Sequence, residues 1–375
     1  MPVSPGCKQT MPSIIVLDKL SPDGLALLDA AGRLGISYEV KTGLSGEELK
    51  AVLASHDGAI CRSGVKITAD VLAGNHRLRA IVRAGVGTDN IDKQAATRQG
   101  IVVMNTPAGN TVSTAEHAFT LLLALSRNVA PADASLREHR WDRSKYMGVQ
   151  LAGKTLGIVG MGRIGQAVAS RARAFDMRVV VYDPFLAAER AGELGVELFG
   201  SVREMLPELD YLTVHTPLTD DTRHLIGKAE LSLLKPGVRL INCARGGIYD
   251  EEALLEGLES GVLAGAALDV FETEPCTESP LFGRPDVLVT PHLGASTEEA
   301  QSQVAIEGVN LLTDFLRTGT IRHSVNSSPI DPADLEGLRG FLDLGWRLGV
   351  LLSQLDDQPP KAVSIAYRGE IASRN

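Results

Sequence analysis

From Ser13 onward, short apolar runs alternate with amphipathic ones. The runs SIIVLD (13–18), SYEVKT (37–42), GAIC (58–61), LRAIVRAG (78–85) and IVVMNTP (101–107) have the length and β-branched content of strands. Between them lie segments such as GEELKAVLASH (46–56), where Leu49, Val52 and Leu53 recur at helical spacing. Strands separated by helices pair in parallel, so this half predicts a doubly wound α/β domain. A second series begins at Thr155, with strand-like runs at 156–159, 178–182, 211–217, 238–245, 266–271 and 287–292. Between the two series stands STAEHAFTLLLALSR (113–127), apolar on more than one face and therefore expected between domains or between subunits. The segment 296–317 predicts a helix that carries the chain back to the first domain before HSVN (323–326). The Pro-containing SSPIDPAD leads to an expected helix over 335–355 and a strand-like 362–372. With 375 residues, two domains are expected rather than one core.

The second series opens on KTLGIVGMGRIG. Gly160, Gly162 and Gly165 close a strand and open a helix, the setting in which a G-x-G-x-x-G triplet binds a dinucleotide. Gly160 suits the tight turn, Gly162 lets backbone approach a pyrophosphate, and Gly165 allows close helix–strand packing. The next strand delivers Asp183, whose carboxylate can accept bonds from a ribose and would repel a 2′-phosphate. NAD is the expected cofactor.

Composition narrows the partners. A net charge of −9 argues against a polyanion-binding surface, so nucleic acid is not expected. Cys7, Cys61, Cys243 and Cys276 have neither metal-ligand nor disulfide-framework spacing, which implies no metal and a reducing compartment. No apolar stretch of about eighteen residues occurs, and MPVSPGCKQTMP lacks an apolar signal core; the expectation is a cytoplasmic protein with a short disordered leader and no membrane partner.

Ligands of open parallel sheets bind beyond the carboxyl ends of the strands. Thr216, Arg245, Glu274 and His292 all fall there in the second half. A guanidinium can dock a carboxylate, an imidazole can exchange a proton near neutrality, and a carboxylate beside it can stabilise its charged form. Together they suit hydride removal from a 2-hydroxy acid, with His292 taking the hydroxyl proton.

The motifs GMGRIG with YDP after it, HTPLTDDTRHLI, INCARGGIYDEEAL, AALDVFETEP and TPHLGAST resemble those of the D-2-hydroxyacid dehydrogenase family, and most closely its members that oxidise 3-phospho-D-glycerate at the start of serine biosynthesis. The resemblance runs from about Ser13 to Asn326. It implies a flavodoxin-like substrate domain (13–108 with 296–326), a Rossmann NAD-binding domain (109–295) and a C-terminal extension (327–375) similar to the opening of an intervening domain, with no regulatory module after it. It further implies catalysis by Arg245, Glu274 and His292, and NAD contacts from Arg163, Ile164, Asp183, Thr216, Thr222, Cys243, Ala244, Asp269 and Gly294 besides the glycines. Substrate contacts are implied for Arg62, Arg83, Val86, Gly87, Asn110 and Arg143. A homodimer or higher homo-oligomer is implied as well. Two other readings share these motifs: reduction of glyoxylate or hydroxypyruvate, and an NAD-sensing corepressor-like scaffold that does no chemistry.

Overall fold

The computed structural model describes residues 11–326 and positions 344–345, 347–349 and 351–352. The first sheet contains β1 (Ser13–Val16), β2 (Ser37–Val40), β3 (Gly58–Cys61), β4 (Ala80–Arg83) and β5 (Val102–Asn105), all parallel, in the order β2-β1-β3-β4-β5. The second contains β6 (Thr155–Val159), β7 (Arg178–Tyr182), β8 (Glu197–Leu198), β9 (Tyr211–Val214), β10 (Val238–Asn242), β11 (Leu263–Leu268) and β12 (Val287–Val289), also parallel, ordered β12-β11-β10-β9-β6-β7-β8. The first order is flavodoxin-like; the second is the Rossmann order with one further edge strand. Both are the doubly wound sheets that the alternating runs predict.

The unbroken apolar runs reflect burial on both faces. Ile15, Ala59, Ile81 and Val103 enter the core on one side of the first sheet, while Ile14, Ile60, Val82 and Met104 enter the other, as side-chain alternation along each strand requires. The Glu298–Thr318 helix supplies Val304, Leu312 and Phe315 to that second core, so it does return to the first sheet. Ser324 then bridges Met104, and Asn326 Oδ1 accepts from the Val103 amide at 2.8 Å.

The Thr111–Ser126 helix, expected between domains or between subunits, packs chiefly on the second sheet. Ala115, Phe119, Leu122 and Leu125 pack into the core of the second sheet with Leu156 and Ile158, and Phe119 meets Phe175 at 5.0 Å between ring centroids. Its outer face is in water at Val112, Glu116 and Thr120. It looked apolar on several faces because it packs against both the sheet and the neighbouring Arg163–Ala174 helix, and its first turn reaches the junction between the sheets through Ser113 and Thr297.

Strands β9, β10, β11 and β12 end three residues earlier than their apolar runs, at Val214, Asn242, Leu268 and Val289. Pro217 and Pro291 lie in the loops that follow, where a residue without an N–H cannot extend a ladder. Thr216, Arg245 and His292 therefore sit on loops at the strand exits. The Val129–Arg137 helix and the Arg143–Tyr146 turn have too little apolar periodicity to be foreseen. Positions 344–345, 347–349 and 351–352 are helical; the rest of the expected 335–355 helix, the 362–372 run and the leader through residue 10 lie outside the described residues. Among the described residues no helix is long and apolar enough to cross a membrane.

Candidate active site

The glycine loop is built by close approaches. Gly160 has φ +92°, and a Cβ there would stand 2.7 Å from the His215 carbonyl oxygen. A Cβ on Gly165 would be 2.0 Å from the Gly160 carbonyl, so the Arg163–Ala174 helix rests directly on the strand exit. Gly162 differs: a Cβ there would meet nothing within 4 Å. That open side faces the free amides of the helix N-terminus, where Arg163 and Ile164 begin the first turn; the arrangement fits a pyrophosphate. Asp183 is fastened to the same loop, with Oδ2 accepting from the Met161 amide at 2.7 Å and Oδ1 from the Phe185 amide at 2.8 Å. Thr216 Oγ1 is buried without a hydrogen-bond partner among the described residues. Thr222 is committed to its own turn, accepting from the Thr219 amide at 2.8 Å and donating to the Pro217 carbonyl at 2.7 Å. Burial pushes the adjacent His215 imidazole down to about 4, so it is neutral at physiological pH.

Across the sheet exits, Glu274 Oε2 and His292 Nδ1 lie 2.7 Å apart. Glu274 Oε1 accepts from the Phe271 amide at 3.1 Å, which fixes the carboxylate plane. Partial burial alone would raise the Glu274 carboxyl, but the bond and charge of His292, the Phe271 amide and the Arg245 charge outweigh it and hold the group below the ordinary carboxylate value. The acid is thus ionised beside an imidazole. His292 has φ +57° and no other side-chain partner among the described residues, leaving Nε2 for chemistry.

Arg245 spans the two sheets. Asn242, the last residue of β10, holds its turn by donating to the Arg245 carbonyl at 2.8 Å and accepting from the Ala244 amide at 2.9 Å. The guanidinium Nε reaches Asp89 Oδ2 at 2.9 Å, and Nη2 lies so close to Gly87 that a Cβ there would stand 1.8 Å from it.

Two further arginines face the same loop. Arg62 and Arg83 each bury an Nε without a hydrogen-bond partner among the described residues. Burial first, then the like charges of Arg245 and Arg62, lower the Arg83 pKa against the opposing effects of Cys61 and Asp89, so the three cations feel one another. Asp18 accepts from the Arg62 amide at 2.6 Å and Asn90 donates to its carbonyl at 2.7 Å, which sets the loop rigidly. Val86 is held through its carbonyl by Asn105 at 2.6 Å, while the Val86 and Gly87 amides donate to no acceptor among the described residues. Asn110, at the start of the Thr111–Ser126 helix, buries an unpartnered Oδ1. Neighbouring cations with free donors around them are chemically suited to hold an anion.

Arg143 is not among them. It is exposed on the Arg143–Tyr146 turn beside Arg127 and Trp141, at the far end of the 16-residue Thr111–Ser126 helix from Asn110. At a rise of 1.5 Å per residue that helix separates them by about 24 Å.

Asp269, one residue past β11, is 1% exposed and accepts from the Leu293 amide at 2.7 Å, the Gly294 amide at 2.8 Å, Thr290 Oγ1 at 2.6 Å and His117 Nε2 at 3.1 Å. Burial works to raise its pKa; these donors outweigh it and keep the carboxylate ionised. Burial also raises the Cys243 thiol, with the Asp269 charge adding to it, and Ala244 leads from there into the Arg245 turn. Asp89, Asp18, Asn90, Thr290 and His117 were not foreseen. Each holds another residue rather than facing a ligand, and a single sequence carries no sign of such partnerships.

The family described as D-isomer specific 2-hydroxyacid dehydrogenase, NAD binding domain, matches residues 119–294. A D-3-phosphoglycerate dehydrogenase of Methanocaldococcus jannaschii is 42% identical over 362 residues, covering 96% of this chain and 68% of the relative. One from Mycobacterium leprae is 44% identical over 368 residues, covering 97% and 68%. Among solved structures, D-lactate dehydrogenase from Aquifex aeolicus, complexed with NAD and lactic acid, superposes with a TM-score of 0.73 at 27% identity, covering 84% of this chain and 99% of that one. A glycine loop with Asp183 beyond the next strand, a Glu–His pair at the exits of the same sheet and relatives of this identity over nearly the whole chain lead to one conclusion: this chain belongs to the D-2-hydroxyacid dehydrogenase family and carries its NAD-binding domain.

Proposed function

We propose that this protein oxidises 3-phospho-D-glycerate to 3-phosphohydroxypyruvate with NAD, the opening step of serine biosynthesis. The observation that carries the reading is the Glu274–His292 pair, 2.7 Å apart, together with a separate cluster of Arg62, Arg83 and Arg245. In this assignment the strands over 13–108 with the helix and bridge of 296–326 form the substrate domain, and 109–295 the cofactor domain. Arg245 and the Val86 and Gly87 amides receive the substrate carboxylate, Asn110 contacts the substrate, and Arg62 with Arg83 takes the phosphate. Neutral His292 removes the proton of the C2 hydroxyl as the C2 hydrogen departs as hydride. NAD, held at the glycine loop, would supply the hydride acceptor. The imidazolium left on His292 is stabilised by ionised Glu274 and then releases its proton to water. The glycine loop, Arg163, Ile164, Asp183, Thr216, Thr222, Cys243, Ala244, Asp269 and Gly294 are assigned to the cofactor.

Exposed Trp141 and Met147, near Arg143, provide an apolar surface that a second copy would cover, making the protein a homo-oligomer; sedimentation tests this. The free thiols Cys61, Cys243 and Cys276 suit the cytoplasm.

Steady-state assays with NAD and 3-phospho-D-glycerate or D-glycerate, and with NADH and glyoxylate or hydroxypyruvate, test the reading. The phosphorylated acid should have the highest kcat/KM. No turnover of any of them would favour a scaffold, and preference for the short oxoacids would favour a reductase.

Two variants refine it. Asp183→Ser should weaken NAD and admit NADP, narrowing the ratio of their kcat/KM values; a wild type that uses both equally would remove Asp183 from the ribose. Glu274→Ala should move the pH profile of oxidation downward. The sign follows from reciprocity: the His292 charge favours ionised Glu274, so ionised Glu274 favours the imidazolium, and without it the basic form of His292 persists to lower pH. An unshifted profile would make Glu274 structural.

A further inference from the structure

His292 sits beyond the end of β12, exposed, with Glu274 as its single side-chain partner among the described residues. What holds the backbone of its turn is Asp269, which gathers the Leu293 and Gly294 amides on one side of His292 and the Thr290 hydroxyl on the other. The remaining partner of that carboxylate comes from a different element. His117 Nε2, in the Thr111–Ser126 helix, lies 3.1 Å from both Asp269 Oδ1 and Thr290 Oγ1. An ionised carboxylate only accepts, so Nε2 carries the proton and donates. Two neighbours on the same helix reinforce the clasp: Ser113 Oγ lies 2.7 Å from Thr297 Oγ1, and a Cβ on Gly294 would stand 3.3 Å from Thr114 Cγ2. One side of this helix therefore grips the chain from 290 to 297, and its start carries Asn110.

We propose that His117 is a positioning residue for the oxidation: through Asp269 it fixes the turn that aims His292, and it ties that turn to the helix start that meets the substrate. The inference rests on the function proposed above. A proton acceptor misplaced by about 1 Å can cost on the order of a hundredfold in rate, so a hydrogen bond remote from the substrate acts on kcat. Hydroxy-acid binding is less affected, because the arginine seat is held by other residues; the KM for NAD, assigned in part to Asp269 and Gly294, moves with the turn.

The test compares His117→Phe, which keeps a ring and loses the donor, with His117→Gln, whose Nε2 has similar reach. His117→Phe should lower kcat by roughly ten- to a hundredfold while the KM for the hydroxy acid moves less than about threefold. His117→Gln should recover most of that rate. Amide hydrogen exchange across 290–297 should accelerate in the Phe variant and not in the Gln variant. Unchanged kcat in both variants, or equal loss in both with intact folds, would overturn the proposal. If His117→Phe does not fold, Thr290→Val, which removes the hydroxyl bound to Asp269, should give the same loss of kcat and faster exchange. If it gives neither, the proposal falls. Should the wild type turn over no hydroxy acid, the proposed function fails by itself, and the exchange comparison still decides whether His117 holds this turn: equal protection in wild type and Phe variant rejects it.

Discussion

His292→Asn should lower kcat by roughly 10²–10⁴-fold, the usual worth of a positioned acid–base group, while NADH affinity stays near wild type. Asparagine is chosen because His292 has φ +57°, a left-handed conformation that Asn tolerates better than most residues, so the variant removes the imidazole without straining the turn. The backbone tether from Asp269 to the Leu293 and Gly294 amides does not involve the replaced side chain. Fluorescence titration with NADH separates binding from chemistry. A variant that keeps more than about a tenth of the wild-type rate would remove His292 from the proton step, since that lies well outside the range for a general base.

Arg62→Ala should erode the preference for 3-phospho-D-glycerate over D-glycerate by roughly ten- to a hundredfold, because losing a charged hydrogen-bond partner costs on the order of 1.5–3 kcal/mol. The substitution is clean in the fold. Arg62 is pinned by its backbone, through Asp18 and Asn90, while the buried Nε has no partner among the described residues. The loop should therefore stay in place when the side chain is cut back. The measurement is kcat/KM on both acids. Equal loss on the two would make Arg62 a general carboxylate ligand, and a wild type indifferent to the phosphate would shift the substrate toward glyoxylate or hydroxypyruvate.

Much of the candidate site was legible in the sequence because its chemistry is written in short segments. The glycine loop is local: three glycines and one strand–helix junction determine where backbone can approach a phosphate. Asp183, Arg245 and His292 could be placed because strand exits in a parallel sheet all open on one edge. Arg143 shows the limit of that reasoning. Its segment follows the cofactor-side helix in sequence, but sixteen helical residues carry the chain away from Asn110 before Arg143 is reached. The alternation of apolar runs reports that a helix exists, not which end of it faces the cleft.

By itself, the order of residues determined the two parallel sheets and the cofactor type, since side-chain periodicity, glycine spacing and the sign of one carboxylate are properties of neighbouring positions. Only the tertiary structure decided which groups are free and which are engaged. Thr222 is absorbed by its own turn, Asp89 takes one edge of Arg245 from the opposite sheet, and His117 meets Asp269 across 152 positions of chain. Whether a polar atom is left for a ligand depends on every partner within about 3 Å, and those partners are brought together by packing, not by proximity along the chain.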